Sequence, residues 1–281
     1  MRQIRVAAQI HPQHGDYHNM RRAVVRAEEL GYDIAYTWDH FFPLYGEGGD
    51  DHLECWSLLA AWAEATDRIE LGSLVACNSY RNPNLLADIA RTVDRISGGR
   101  VILGVGSGWR KRDYDEYGYE FGTAPTRLKA LGAALPIMRS RIARLTPPPM
   151  GELPILIAGG GPKVTTRLVA QYADAWHAGF PDSRDELLPS VAALKSWCAE
   201  IDRDPASIEW SVGVEPYDLD RFVTDDADYY VALGFTQFTL GFNGPEWSVD
   251  AGSGWLEWRD RQNSKRPLEG LGVTARLASR P

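Results

Sequence analysis

The chain has 281 residues, 44% of them hydrophobic, so it is long enough to bury a substantial core. Its 38 acidic and 30 basic side chains give a net charge of −8, which argues against a nucleic-acid-binding surface and for no nucleic-acid partner. No apolar run reaches the roughly 18 residues of a membrane span, the first residues lack the apolar core of a signal peptide, and the three cysteines are widely spaced. These features predict a cytoplasmic protein with reduced thiols and no membrane partner.

Strand-like and helix-like segments alternate through the first hundred residues. Strands are predicted over 4–10, 33–38, 69–76 and 100–105, and helices over 19–30, 54–66 and 84–96. Gly31 and Gly98 stand where helix C-caps are expected. The fourth strand alternates too little to be solvated on one face, which is typical of a parallel sheet covered on both sides.

The second half of the chain repeats this rhythm. Strands are predicted over 154–158, 175–178, 207–214 and 235–240, and helices over 127–145, 163–172, 186–201, 225–233 and 254–261. Pro136 should kink or split the first of these helices. Eight units of roughly 30 residues predict an α/β protein with a single (β/α)8 TIM barrel over residues 1–281, and not two domains.

An open, doubly wound sheet is the alternative architecture, and it would make the glycines after the fourth strand a dinucleotide site. A G-x-G-x-x-G fingerprint starting at Gly104 would need glycine where Trp109 stands. One starting at Gly106 would need glycine where Lys111 stands. The barrel is therefore favoured.

In a barrel, ligands bind where the strands end at their carboxyl side. Polar and glycine residues follow the predicted strands at that end: His11, Asp39, His40, Gly106, Ser107, Gly108, Trp109, Gly159, Gly160, Gly161 and His177. The run 159–161, followed by Pro162 and a predicted helix, would present backbone amides at the helix start and is interpreted as a phosphate site in preference to a simple cap. Asp39 and His40 are candidates for ligand binding and proton transfer, with a plain surface loop as the alternative.

Five of the six histidines lie in the first 52 residues, so a metal centre has to be considered. His11 and His14 fall in a loop without helical register, and the chain lacks an H-E-x-x-H motif. Histidines that line a polar pocket are favoured over a metal site.

Taken together, several short motifs resemble the luciferase-like monooxygenase superfamily, and more narrowly its branch that uses the deazaflavin coenzyme F420. The resemblance extends over about residues 1–180. It is carried by Thr37-Trp-Asp-His-Phe41, Leu71-Gly-Ser-Leu-Val75, Arg81-Asn-Pro83, Ser97-Gly-Gly-Arg100, Leu103-Gly-Val-Gly-Ser-Gly-Trp109, Tyr117-Gly118, Ile157-Ala-Gly-Gly-Gly161 and Tyr172-Ala-Asp-Ala-Trp176.

The resemblance implies a homodimeric barrel with a flavin or deazaflavin in its mouth. A non-proline cis peptide bond is expected at Leu74–Val75, in a bulge behind the cofactor ring. The residues implied to bind the cofactor are Asp39, Leu74, Val75, Ala76, Gly106, Ser107, Gly108, Gly159, Gly160, Gly161 and His177. His40 is implied in proton transfer, and His11, Trp38 and Trp109 are expected to line the substrate pocket.

The implied reaction is hydride transfer between F420 and a small organic substrate. The alternatives are an FMN-dependent luciferase-like monooxygenase, a metal-dependent TIM-barrel hydrolase, and a barrel that binds a flavin or phosphorylated ligand without turnover. Residues 121–154 are fewer than the resemblance leads one to expect, because family members often carry a strand-bearing insertion there. An open cofactor site is the expected consequence.

Overall fold

The computed structural model describes residues 2–46 and 51–266, and its strands form one parallel sheet. The strands are β1 (Arg5–Ile10), β2 (Ile34–Thr37), β3 (Glu70–Ser73), β4 (Ala76–Cys77), β5 (Val101–Gly106), β6 (Ile155–Ala158), β7 (Ala175–His177), β8 (Glu209–Val214) and β9 (Gln237–Phe242). The first strand pairs with β2 on one side and with β9 on the other. The sheet closes into a barrel because β3 also pairs with β5.

The third position in the barrel is shared by two short strands. Leu74 and Val75 separate β3, which pairs with β2 and β5, from β4, which pairs with β5. Counted as one, β3 and β4 give eight strand positions, so the predicted (β/α)8 TIM barrel is confirmed. The predicted continuous strand over 69–76 is interrupted at residues 74 and 75.

Helices follow the strands and form the outer layer. They are α1 (Tyr17–Leu30), α2 (Cys55–Ala65), α3 (Pro83–Ser97), α4 (Lys111–Tyr117), α5 (Ala124–Ile142), α6 (Thr165–Tyr172), α7 (Leu188–Glu200), α8 (Leu219–Asp225), α9 (Ala227–Leu233) and α10 (Ser253–Asn263). Gly31 and Gly98 are left-handed C-caps, with φ of 91° and 74°, as predicted. None of the described helices is long and apolar enough to cross a membrane.

Several local predictions differ from the structure, and helix α8 was not predicted. Helix α4 was not predicted because its seven residues are mostly charged and show no apolar period. Pro136 lies inside α5 without splitting it. Helix α6 begins at Thr165 and not at residue 163, so Pro162 precedes the helix instead of forming its first turn.

The barrel interior is plugged at the amino-terminal ends of the strands. The Arg5 guanidinium forms an ion pair with Glu70 and a second one with Glu209, at 3.2 Å. Apolar side chains such as Tyr36 and Ile102 are buried above this charged layer. The space left for a ligand is therefore at the opposite, carboxyl end.

The segment 121–154 contains α5 and no strand, and residues 143–154 lead from that helix to β6. Beside it, the rim carries an aromatic cluster of Phe41, Tyr80, Tyr114, Tyr119 and Phe121. This cluster covers the side of the barrel next to β5.

Candidate functional site

A cavity of about 490 Å³ opens at the carboxyl ends of the strands, within the roughly 300–1,000 Å³ range of typical ligand pockets. The predicted site residues that line it are His11, Trp38, Asp39, His40, Leu74, Val75, Ala76, Gly106, Ser107, Gly108, Trp109, Gly159 and His177. Gly160 and Gly161 are not among its lining residues. The lining also includes Gln9, Leu44, Tyr45, Cys77, Ala158, Gly179, Phe180 and Glu215.

One wall of the cavity is the bulge between β3 and β4. The peptide bond between Leu74 and Val75 is cis, at the position implied by the family resemblance. Gln9 donates from Nε2 to the Leu74 carbonyl at 3.0 Å, and the Leu74 N–H donates to the Thr37 carbonyl at 2.7 Å. These buried hydrogen bonds stabilise the bulge.

The glycines at the end of β5 and just beyond it are required by the packing of the protein itself. A Cβ at Gly106 would stand 2.8 Å from Cγ2 of Val75. Gly108 has φ of 81°, and a Cβ there would collide with the Tyr114 hydroxyl and stand 2.6 Å from Sγ of Cys77. Neighbouring side chains therefore account for both glycines, whether or not a ligand approaches them as the family resemblance implies.

His40 is held by a carboxylate that sequence reasoning missed. Its Nδ1 lies 2.6 Å from Oδ2 of Asp113, which belongs to α4 and is fully buried. The Tyr80 hydroxyl also donates to Oδ2, at 3.0 Å. Burial acts to raise the pKa of Asp113, but the bonds from His40 and Tyr80 outweigh it and hold this pKa below its usual value. Because Nδ1 is engaged, Nε2 is the His40 nitrogen left for a ligand.

Asp39 is buried and fully engaged with its own neighbours. Arg81 donates to both carboxylate oxygens, at 2.6 and 3.1 Å, and the Cys77 N–H donates at 3.1 Å. Burial acts to raise the pKa of Asp39, and the Arg81 guanidinium opposes that effect. Arg81 reaches Glu54 as well, at 2.7 Å. Asp39 thus joins the segment after β2 to the end of β4 and the loop that follows it.

His177 presents an unsatisfied polar atom at the cavity. Its Nδ1 lies 2.9 Å from the Ser211 hydroxyl, which also contacts Thr239 and the Gln237 side chain inside the barrel. Nε2 is buried without a hydrogen-bond partner among the described residues. Burial lowers the pKa of His177 to about 3, so the ring is neutral at pH 7. A bound polar group would satisfy this nitrogen.

An aromatic wall closes the other side. His11 stacks on Trp38 with ring centroids 4.2 Å apart, and the Trp38 indole donates to Nε2 of His52 at 2.9 Å. Burial lowers the pKa of both histidines to about 4, so the wall is uncharged at pH 7. Trp109 is 60% exposed at the rim, and its ring lies 5.6 Å from that of His40.

The triple-glycine loop lies at the edge of the cavity. Gly159 has φ of 125°, and its N–H donates a hydrogen bond to the His177 carbonyl at 2.9 Å. No hydrogen bond from the N–H of Gly160 or Gly161 is found within residues 2–46 and 51–266. Two amides therefore remain for an anion, not the three inferred from the sequence.

No group of three or more His, Cys, Asp or Glu side chains that could hold a metal ion is found in the described part of the chain. His40 and His52 are engaged instead by Asp113 and Trp38.

The chain belongs to the luciferase-like monooxygenase family, whose model matches residues 1–220. This confirms the family resemblance seen in the sequence motifs.

Relatives named F420-dependent glucose-6-phosphate dehydrogenase include one from Amycolatopsis mediterranei, 34% identical over 194 residues, or 59% of this chain and 56% of the relative. Another, from Nocardia farcinica, is 31% identical over 240 residues, or 76% of this chain and 67% of the relative. The first relative is thus matched over little more than half its length. A solved F420-dependent secondary alcohol dehydrogenase in complex with an F420-acetone adduct has the same fold, with a TM-score of 0.76 at 17% identity over 89% of this chain and 97% of that one.

Proposed function

We propose that this protein is an F420-dependent oxidoreductase that transfers a hydride between the deazaflavin and a small organic substrate. The observation that carries the proposal is the cavity at the strand ends, where His40, backed by a buried carboxylate, faces the same space as the bulge at residues 74–75. Relatives named F420-dependent, one matched over 76% of this chain, support this cofactor.

The residues present fit such a cofactor. The bulge residues Leu74, Val75 and Ala76 would pack against its ring, and the unpartnered Nε2 of His177 would receive one of its polar groups. The segments 106–108 and 159–161, together with Asp39, would form the rest of the cofactor-binding site. The backbone amides of Gly160 and Gly161 would face the phosphate of the cofactor. When bound, F420 supplies the hydride chemistry at C5 of its ring.

His40 is the residue proposed to donate or accept the proton that accompanies hydride transfer. Asp113 fixes the ring through Nδ1, so Nε2 would exchange a proton with the oxygen of the substrate as the hydride moves. Asp113 acts as the group that orients the base, and Tyr80 in turn orients Asp113. His11, Trp38 and Trp109 would enclose the substrate and limit the access of water.

Titration with F420 and with FMN tests the cofactor assignment. Purified protein is titrated with each, with fluorescence quenching as the readout, before and after treatment with a chelator. We expect tighter binding of F420 than of FMN and no effect of the chelator. Micromolar FMN affinity without F420 binding would favour the monooxygenase alternative, and binding that is lost on chelation would favour a metal centre.

Two further properties belong to this proposal. The protein is expected to be a homodimer, which sedimentation or light scattering would test by mass. It is expected to work in the cytoplasm, where its three free, buried thiols would stay reduced. Fractionation of cells that express the tagged protein would test the location.

A further inference from the structure

We propose that the substrate is an uncharged or cationic organic molecule, and that Glu215 is the residue that discriminates against anionic substrates such as phosphorylated sugars. The inference rests on the proposed function and names the substrate class of the same cavity. Glu215 directly follows β8, so it stands at the carboxyl end of the seventh barrel position, and it lines the cavity.

The Glu215 carboxylate carries an uncompensated charge. Within residues 2–46 and 51–266 it forms no hydrogen bond and no ion pair, whereas the other lining carboxylate, Asp39, is matched by Arg81. Burial, and then the like charge of Asp182, raise the pKa of Glu215 above its usual value. A positive or hydrogen-bond-donating group on a ligand would offset both the burial of the Glu215 carboxylate and its repulsion from Asp182, whereas a phosphate would add a further like charge.

Two of the histidines in the lining carry no positive charge. His11 and His177 are uncharged at pH 7 because burial lowers their pKa to about 4 and about 3. No lysine or arginine lines the cavity in the described part of the chain. Among the described residues the buried Nε2 of His177 has no hydrogen-bond partner, which independently indicates a ligand with a hydroxyl or carbonyl group.

A second, adjoining cavity of about 370 Å³ shares Phe180 and Glu215 with the first. Its two arginines already have carboxylate partners: Arg184 pairs with Asp226, and Arg221 pairs with Asp226 and with Asp218. These guanidinium groups are therefore not placed to neutralise Glu215. Phosphate groups are bound in proteins by arginine, lysine or backbone amides, and among the described residues the only arginine or lysine side chains that line either cavity are these two, which are already paired with carboxylates.

Three small secondary alcohols represent the charge classes: 1-amino-2-propanol as the cation, 1-methoxy-2-propanol as the neutral compound, and sn-glycerol 3-phosphate as the anion. Dissociation constants are measured from the fluorescence of the F420-loaded protein, and initial rates are recorded beside them. The parent protein should bind the cation or the neutral compound at least tenfold more tightly than the anion. Glu215→Gln should reduce that preference at least tenfold, and Glu215→Lys should reverse it.

Asp182→Asn is the matched control, because it removes the neighbouring carboxylate while Glu215 stays in the cavity wall. It should keep the order of the three ligands. Binding of sn-glycerol 3-phosphate as tight as that of the neutral alcohol, an unchanged order in Glu215→Lys, or no binding of any of the three by F420-loaded protein would overturn the proposal. If F420 itself does not bind, the proposed function fails, and the same titrations on the unloaded protein, followed by tryptophan fluorescence, still decide the charge preference.

Discussion

Replacement of Asp39 by alanine removes the carboxylate that accepts two hydrogen bonds from Arg81 and one from the Cys77 N–H. Loss of one partner of a buried ion pair costs about 3–5 kcal/mol, because the other charge stays buried. Arg81 retains Glu54, which is 40% exposed and compensates part of that charge. The free energy of unfolding should therefore fall by about 3 kcal/mol, the lower end of that range.

The assay is urea unfolding at pH 7, with F420 affinity measured separately on the folded protein. Asp39→Asn is the control that keeps an acceptor oxygen for Arg81 and Cys77, and it should lose less stability than Asp39→Ala. The double variant Asp39→Ala/Arg81→Ala should lose less than the sum of the single variants, because the two residues act as one unit. Stability within about 0.5 kcal/mol of the parent, together with a tenfold loss of F420 affinity, would refute this reasoning and make Asp39 chiefly a cofactor ligand.

Three other predictions concern the proton donor, the phosphate seat and the buried histidines. His40→Ala should lower turnover about 10²- to 10⁴-fold while it changes the F420 dissociation constant less than tenfold, and steady-state kinetics with parental turnover would contradict the assigned role. Gly160→Asp should weaken F420 binding at least about tenfold, or 1.4 kcal/mol, through like charge beside the phosphate. Gly160→Ala, whose Cβ would stand 3.2 Å from the Ala178 carbonyl, reports crowding alone, and an equal effect of the two would count against the charge argument. The pKa of His11 and His177, about 4 and about 3, lies below the 6.5 of an unperturbed histidine, so the unfolded chain binds more protons between these values. Each of these two histidines should lower the free energy of unfolding by up to about 1.4 kcal/mol per pH unit as the pH falls from 6.5 toward 4. Urea unfolding at several pH values in that range should show this dependence of stability on pH, and His177→Gln should make it less steep. An equally steep dependence in that variant would mean that His177 is charged in the native state.

The barrel could be predicted from the sequence because its signals are local. Each buried strand is a short apolar run, and glycines such as Gly31 and Gly98 mark helix ends. The cavity rim could be predicted as well, since parallel strands in a barrel end at one face. Applied to the seventh and eighth positions, the same rule would have pointed to Glu215 and Asn243, which directly follow β8 and β9.

The partners of the site residues could not be predicted from local patterns. Asp113 is 73 residues from His40 in the chain, and Arg81 is 42 residues from Asp39. Such pairs meet only because the barrel brings the loops at the carboxyl ends of its strands together, and a run of charged residues such as 110–116 resembles a solvated loop in the sequence alone. The packing reason for glycine at position 106 could not be predicted either, because its neighbour Val75 lies in the bulge between β3 and β4, far from it in the chain.

The contact between Val75 and Gly106 has a consequence for protein engineering. The valine side chain occupies the volume that any side chain at position 106 would need. A larger residue at one of the two positions therefore requires a smaller one at the other. A library that varies position 106 alone would yield mostly overpacked barrels, whereas joint variation with smaller residues at position 75 would keep the total volume constant. The two positions are thus a single design variable for reshaping this wall.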